Sequence, residues 1–208
     1  MTIKTFNINT DKTAFVRAYL PDSIAGLPFC EKRPAVLIFP GGGYEYCSDR
    51  EGEPIALQYL ALGYAAFVVT YSCNERFPEP LMDAAYIFYK IRMRAEEFKI
   101  DPQKMAVLGC SAGGHLAGCL ATMWSDIALT KTIGCEPEDL RPNAAILCYP
   151  VISGVTAPHE GSFKVLLGED ASRSDLSRLS LENRVTPKTP PVFIWATAIA
   201  AKVIGPSY

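Results

Sequence analysis

One serine lies in a pentapeptide whose residue types and spacing are typical of a catalytic nucleophile. Residues 109–113 read Gly-Cys-Ser-Ala-Gly, which matches G-x-S-x-G, and Gly114 extends the glycine-rich run. In this pattern a sharp strand-to-helix turn holds the serine hydroxyl exposed. Glycines on either side let neighbouring backbone pass where a Cβ atom would clash. The pattern therefore predicts Ser111 as a nucleophile, and the alternative is an ordinary glycine-rich turn.

A second glycine run could stabilise the charge that such a nucleophile creates. Residues 40–44 read Pro-Gly-Gly-Gly-Tyr and directly follow an apolar run. We expect the backbone N–H groups of Gly42, Gly43 and Ala112 to form an oxyanion hole, with Ala112 at a positive helix N-terminus. A phosphate-binding loop is the alternative, but neither G-x-G-x-x-G nor a G-K-[ST] ending is present. The side chains expected to line the site are Tyr44, Cys110 and His159.

The elements that must position these residues are predicted from apolar runs and helical spacing. The runs that predict buried strands are residues 35–39, 64–71, 105–108, 144–149 and 191–195. The segments with helical spacing are residues 53–62, 81–98 and 112–124, and a turn is expected at residues 101–102. This alternation predicts an α/β fold with a doubly wound, mostly parallel sheet. We expect one domain over residues 1–208, with a cap-like or binding-loop insertion at about 151–188.

Composition excludes several classes of protein and partner. Lys and Arg number 20 against 22 Asp and Glu in 208 residues, so no basic excess favours nucleic-acid binding. No apolar stretch is long enough to cross a membrane, and the N-terminus lacks the apolar core of a secretory signal. The seven cysteines are an odd number without a C-x-x-C pair, which is typical of free thiols in a reducing cytoplasm. No metal site or cofactor is expected, because no cluster has zinc or calcium spacing.

Charged residues outside the two glycine runs are interpreted as structural. Glu51 and Glu53 precede a helix and are expected to cap it or to favour its dipole. Residues 92–97 contain Arg92, Arg94, Glu96 and Glu97, which we interpret as a solvated helix face.

Several motifs together resemble one enzyme family. They are residues 40–44, 51–54, 100–102, 109–117, 149–152, 159–163 and 167–168. The chain from about residue 34 to residue 195 resembles the α/β-hydrolase carboxylesterases, in the esterase/lipase branch with acetyl-xylan-esterase-like and feruloyl-esterase-like bacterial proteins. The resemblance implies an α/β-hydrolase fold and a Ser111 acyl-enzyme. The substrates that it implies are small acyl esters, acetylated carbohydrates among them.

The expected triad is incomplete in this sequence. In the α/β-hydrolase fold the triad follows the order Ser, then Asp or Glu, then His. Residues 196–208 contain no Asp, no Glu and no His. The only histidines in the chain are His115 and His159. Either one remains an open alternative as the base, although we expect His115 to be packed and His159 to lie on a loop near the site. A non-catalytic hydrolase-fold fragment is therefore the second hypothesis.

The same C-terminal residues lead to an expectation about the sheet. The family's last strand and closing helix have no counterpart after Trp195, so the chain is expected to be truncated or altered near Ala196. An uncovered strand at residues 192–195 would leave backbone groups unpaired. We therefore expect self-association through this edge, or lower stability than that of a complete domain.

Overall fold

Seven strands form one mixed sheet in the order β1-β2-β4-β3-β5-β6-β7. The computed structural model describes residues 1–7, 14–23 and 32–197. The strands are β1 (Thr2–Asn7), β2 (Phe15–Leu20), β3 (Arg33–Phe39), β4 (Ala65–Thr70), β5 (Ile100–Cys110), β6 (Ala144–Cys148) and β7 (Val192–Trp195). Strands β3 to β7 pair in parallel, which confirms the predicted doubly wound, mostly parallel sheet.

Strands β1 and β2 extend the sheet in antiparallel orientation and were not predicted. Strand β2 pairs with β1 on one side and with β4 on the other. The residues of β1 are mostly exposed, so this strand has no apolar run. In β2 the exposed Arg17 interrupts the buried residues, which masks the strand in a search for continuous apolar stretches.

Helices connect the parallel strands and lie beside the sheet. They are α1 (Glu53–Ala61), α2 (Glu79–Met93), α3 (Ala95–Phe98), α4 (Ala112–Met123), α5 (Ile127–Ile133), α6 (Pro137–Leu140), α7 (Glu160–Leu167) and α8 (Arg173–Leu179). The predicted helices at 53–62 and 112–124 correspond to α1 and α4. Among the described residues, no helix has both the length and the apolar character needed to cross a membrane.

The predicted continuous helix at 81–98 was wrong, because the chain breaks it at Arg94. Helix α2 ends at Met93, and α3 ends where Lys99 adopts a left-handed backbone conformation with φ of 54°. The predicted turn at 101–102 was also wrong as a boundary, since these residues lie inside β5. Arg33 pairs with Ile100 and Ala35 with Met105, so residues 101–104 form an irregularity in the register before the buried part of the strand.

The position of β3 in the middle of the sheet explains why its sequence is continuously apolar. Leu37 and Phe39 belong to one core cluster, whereas Val36 and Ile38 belong to the other. Both faces of the strand are therefore covered, as expected for a parallel strand between helical layers.

The interpretation of Arg92 as part of a solvated helix face was wrong. Its guanidinium is buried and donates to the backbone oxygens of Glu138, Asp139 and Arg141 at 2.8–3.0 Å. Burial lowers the pKa of Arg92 to about 10. Because the guanidinium joins α2 to the connection before β6, Arg92 is a structural link between two elements.

The segment at 151–188 is more regular than the sequence indicates. It contains α7, α8 and a short 3-10 helix, Leu181–Asn183. The N–H of Leu181 donates to Ile152 O at 3.0 Å, and the N–H of Gly154 donates to Ser180 Oγ at 2.9 Å. These bonds fasten the end of the segment back to its beginning.

Candidate active site

Ser111 occupies a strained turn between β5 and α4. Its backbone has φ of 52° and ψ of −118°, in a region that residues with a Cβ atom rarely adopt. The Ser111 N–H donates to Cys148 O at 3.0 Å, while Ser111 O accepts from the N–H groups of His115 and Val151. The surrounding backbone therefore holds the conformation in place, as expected for a nucleophile elbow.

The glycines around Ser111 are needed because backbone passes very close to them. A Cβ atom at Gly109 would lie 2.0 Å from Gly113 O, and one at Gly113 would lie 2.0 Å from Phe39 O. At Gly114 the added atom would lie 2.8 Å from Pro150 Cβ. These separations are shorter than van der Waals contact, so the elbow, the end of β3 and the turn after β6 pack together only with glycine at these positions.

The glycine run after β3 passes over the serine. A Cβ atom at Gly41 would lie 2.7 Å from Cys110 O and 3.0 Å from Ser111 Cβ, so the loop packs closely against the elbow. Gly42 and Gly43 have φ of 131° and 67°, which favours glycine at both positions. Gly42 O accepts from the N–H groups of Glu45 and Tyr46, which closes the loop into a turn.

The expected oxyanion donors lie in these two backbone segments. Ala112 is the first residue of α4, where the N–H group has no acceptor inside the helix. Within the described part of the chain, no hydrogen bond from the N–H of Gly42 or Gly43 to a protein acceptor is found. The structure thus brings the three predicted donors to the two segments that meet at Ser111.

Glu51 fixes the position of the glycine run, a role that the sequence did not predict. Its Oε2 accepts from the N–H of Gly41 at 2.6 Å, and its Oε1 accepts from the hydroxyl of Tyr149 at 2.8 Å. The expectation that Glu51 caps the following helix was wrong. No local pattern could have revealed these contacts, because the carboxylate joins the loop after β3 to the turn after β6.

Tyr44 and His115 form a buried hydrogen-bonded pair. The Tyr44 hydroxyl lies 2.7 Å from His115 Nδ1, and His115 Nε2 lies 2.8 Å from Leu179 O. A carbonyl oxygen only accepts, so we assign the ring proton to Nε2 and the donor role at Nδ1 to Tyr44. Burial lowers the pKa of His115 to about 4. Both ring nitrogens are therefore engaged away from Ser111, and the Tyr44 side chain lies in the core rather than on an open surface.

His159 and Cys110 also have local structural contacts. His159 is exposed at the N-terminus of α7, where its Nδ1 lies 2.8 Å from Ser162 Oγ and accepts from the Ser162 N–H. Cys110 is buried beside Cys148, its register partner on β6. Among the described residues, no side chain is hydrogen-bonded to Ser111 Oγ, so the structure gives neither histidine the position of a base.

A cavity of about 640 Å³ lies beside β2 and β4, next to Pro40 at the start of the glycine run. Its lining includes Arg17, Glu53 and Cys47 but not Ser111. Residues 1–7, 14–23 and 32–197 contain no group of three His, Cys, Asp or Glu side chains arranged to hold a metal ion.

A strained serine elbow at the end of a central parallel strand, under a glycine-rich loop from the neighbouring strand, defines an α/β-hydrolase. The sequence profile of the BD-FAE family matches residues 27–198. The chain belongs to the BD-FAE family of α/β-hydrolases, which confirms the resemblance to esterases seen in the sequence.

Relatives of this chain include enzymes that act on xylan and on acetyl esters. It is 37% identical over 173 residues to endo-1,4-beta-xylanase B of Butyrivibrio fibrisolvens, covering 80% of this chain and 27% of the relative. It is 31% identical over 200 residues to the acetylxylan esterase of Xylanibacter ruminicola, covering 91% of this chain and 37% of the relative. The chain thus spans about a quarter to two fifths of these curated relatives.

A solved structure agrees with the assignment of the fold. The acetyl ester-xyloside bifunctional hydrolase from Caldicellulosiruptor lactoaceticus superposes with a TM-score of 0.80 at 35% sequence identity. The superposition covers 95% of this chain and 71% of that one.

Proposed function

We propose that this chain carries the nucleophile and oxyanion hole of a serine carboxylesterase. The observation that carries the proposal is the strained backbone of Ser111 directly beneath Gly41 of the glycine-rich loop. A hydroxyl held out of a sharp turn is accessible to an acyl carbon, and backbone N–H groups close to it can stabilise the negative charge that develops on the carbonyl oxygen.

The reaction has two stages. Ser111 Oγ attacks the carbonyl carbon of the ester and gives its proton to a base, while the carbonyl oxygen becomes an oxyanion. The N–H groups of Gly42, Gly43 and Ala112 donate to that oxygen. The tetrahedral intermediate collapses, the alcohol leaves with a proton, and the acyl group remains on Ser111. Water then attacks the acyl-enzyme in the same way and releases the carboxylic acid.

The substrates that we propose are esters of small acyl groups, with acetylated carbohydrates first among them. Two relatives are named as an acetylxylan esterase and an acetyl ester-xyloside hydrolase, which supports acetyl as the acyl group. We also propose that residues 1–208 belong to a single hydrolase domain, with a cap-like or binding-loop insertion at about 151–188. The packing of this segment against the core through Phe163 and Leu179 supports that role.

A second candidate function is a hydrolase-fold unit that binds an ester but turns it over slowly. The observation in its favour is that neither His115 nor His159 is hydrogen-bonded to Ser111 Oγ in the described part of the chain. Serine hydrolases from which triad members have been removed still retain about 10³–10⁴-fold acceleration over water through binding and the oxyanion hole.

Hydrolysis of p-nitrophenyl acetate by the purified chain distinguishes these candidates. A wild-type rate that Ser111→Ala abolishes would support the esterase. Ser125→Ala is the matched control, because Ser125 is an exposed serine near the end of α4, and it should keep the wild-type rate. Equal rates for wild type and Ser111→Ala would contradict the esterase proposal.

Labelling with a fluorophosphonate tests activation of the serine independently of the ester. An activated serine forms a stoichiometric adduct, whereas an unassisted hydroxyl reacts slowly. Intact-mass spectrometry would show one adduct on wild type and on Ser125→Ala, and none on Ser111→Ala. Labelling of wild type as slow as that of Ser111→Ala would leave the second candidate as the better description.

A further inference from the structure

Two cysteines distant in sequence lie side by side next to the glycine run. Cys47 follows that run, Cys73 follows β4, and their Sγ atoms are 3.7 Å apart. Both thiols are free and half-buried. The Sγ atom of Cys73 also lies 3.4 Å from the backbone oxygen of Tyr71.

The backbone around this pair is already fastened. The N–H of Asn74 donates to Tyr44 O at 2.8 Å, and the Asn74 side-chain amide donates to Glu45 O at 2.8 Å. These two bonds hold the segments that carry Cys47 and Cys73 against each other. A disulfide has an S–S length of about 2.05 Å, so the sulfurs, now 3.7 Å apart, need to approach by less than 2 Å.

Both thiols are partly exposed, so a small reagent can reach either of them. Cys47 lines the cavity of about 640 Å³ beside β2 and β4, together with Arg17 and Glu53. None of the other cysteines among the described residues combines partial exposure with a neighbouring thiol. Cys110, Cys119 and Cys148 are buried, and Cys135 is half-buried without a thiol partner.

We propose that Cys47 and Cys73 form a dithiol modification site, which a low-molecular-weight disulfide such as oxidised glutathione converts into an intramolecular disulfide. The site is separate from the Ser111 chemistry and does not depend on the proposed esterase function. Its product would tether the glycine-rich loop covalently to the loop after β4.

The exchange proceeds in two balanced steps. The Cys73 thiolate attacks one sulfur of the small disulfide, so a Cys73–S bond forms, the S–S bond of the reagent breaks and one small thiolate leaves. Cys47 then loses its proton, and its thiolate attacks Cys73 Sγ to release the second small thiolate. The protein dithiol loses two electrons, the reagent gains them, and the two thiol protons end on the two released thiols.

We propose Cys73 as the attacking thiol, since it is partly exposed and lies 3.7 Å from the Cys47 thiol, which can donate to its thiolate. The hydrogen bond from Cys47 lowers the pKa of Cys73, and the same contact together with burial raises the pKa of Cys47. Since the thiolate is the nucleophile, the thiol with the lower pKa reacts first.

Oxidised glutathione and mass spectrometry test the proposal on the native chain. After incubation, remaining thiols are alkylated and the protein is digested without reduction. We expect a peptide that links Cys47 to Cys73, an intact mass lower by two hydrogen atoms, and recovery of both thiols on treatment with dithiothreitol. A native protein in which this link forms no faster than after unfolding in urea would overturn the proposal.

Variants identify the sulfurs and provide the control. Cys47→Ser should stop at the mixed disulfide, with glutathione retained on Cys73 and no cross-link. Cys135→Ser is the matched control, because it removes a half-buried thiol elsewhere, and it should form the cross-link at the wild-type rate. Glutathione retained on Cys135 in preference to the pair would also overturn the proposal, and this readout from the wild-type protein does not require any variant to fold.

Discussion

The Oε2 atom of Glu51 accepts a hydrogen bond of 2.6 Å from the backbone N–H of Gly41, the glycine that packs against the elbow at Ser111. The other carboxylate oxygen accepts from Tyr149 at 2.8 Å. One side chain therefore holds the loop that is proposed to supply oxyanion donors.

Replacement of Glu51 should lower turnover more than it weakens substrate binding. Glu51→Ala leaves the N–H of Gly41 without its acceptor, so we expect the loop to shift and kcat to fall about 10- to 100-fold with a small change in KM. Loss of a single oxyanion donor costs about 10²–10³ in kcat in a serine protease. Steady-state kinetics on p-nitrophenyl acetate would measure this split.

Tyr149→Phe is the control for Glu51→Ala, since it removes the bond to Oε1 and keeps the bond to Gly41. We expect kcat to fall less than threefold in this variant. That factor corresponds to ~0.6 kcal/mol in the activation free energy. An equal loss of kcat in both variants would contradict the proposal that the bond from Glu51 to Gly41, rather than the bond to Tyr149, supports turnover.

Gly113→Ala should destabilise the protein severely. The added Cβ would lie 2.0 Å from Phe39 O, and neither backbone can move away without disrupting the elbow or β3. We expect a loss of at least about 3 kcal/mol in the free energy of unfolding, in the range of strong overpacking. Urea denaturation followed by circular dichroism would measure it.

Gly161→Ala is the matched control for this substitution. Gly161 lies in α7, and an added Cβ would come no closer than 3.6 Å to any neighbour. Alanine is favoured over glycine in helices by about 0.5–1 kcal/mol, so this variant should be slightly more stable than wild type. Similar destabilisation in both variants would rule out the close contact as the cause.

Protonation of His115 should destabilise the fold in acid. Its pKa is about 4 in the folded state and about 6.5 in an unfolded chain, so between these values the unfolded state binds more protons. The contribution of the neutral ring is fully present above pH 6.5 and is lost as pH falls to 4. This difference in the pKa of His115 corresponds to a loss of about 3 kcal/mol in the free energy of unfolding.

Urea denaturation at a series of pH values would measure this slope. His115→Gln should reduce the slope between pH 6.5 and 4, because the group that changes charge has been removed. His159→Gln should retain it, because His159 lies at the exposed start of α7. A slope that persists in His115→Gln would show that other groups cause the acid sensitivity.

The edge strand β7 leads to a prediction about association. Val192, Phe193, Ile194 and Trp195 are all exposed, Phe193 by 62% of its surface. Residues 198–208 lie outside the described part of the chain. We expect concentration-dependent self-association through β7, visible by size-exclusion chromatography with light scattering.

Phe193→Lys should weaken that association, because a lysine on an edge strand opposes pairing with another chain. Leu62→Lys is the control, since Leu62 is 72% exposed at the end of α1. A monomer at all concentrations for the wild-type chain would contradict the prediction.

Sequence patterns revealed the parts of the site that depend on local backbone. Ser111 and the glycines beside it lie within one turn, so their spacing alone predicts the elbow. Contacts made by Glu51, and by Cys47 with Cys73, depend instead on how separate loops meet after the sheet has formed. Only the three-dimensional arrangement of β3, β4 and β6 brings those side chains together, and no spacing along the chain encodes it.

Exposed or interrupted strands were missed for a different reason. Strand β1 has few buried residues, and Arg17 interrupts β2. A search for continuous apolar runs detects strands that are covered along both faces, whereas β1 is mostly exposed and one face of β2 is buried only at Tyr19.

The bonds that hold Ser111 also determine when its strained backbone can form during synthesis. Its N–H is bonded to Cys148 O, and its carbonyl oxygen accepts from Val151, both later in the chain. A nascent chain that has not yet released these residues from the ribosome lacks the partners that offset the strain. The conformation of Ser111 therefore forms only after residues 148–151 have left the ribosome, and chains shortened to end before residue 148 should not react with a fluorophosphonate at Ser111.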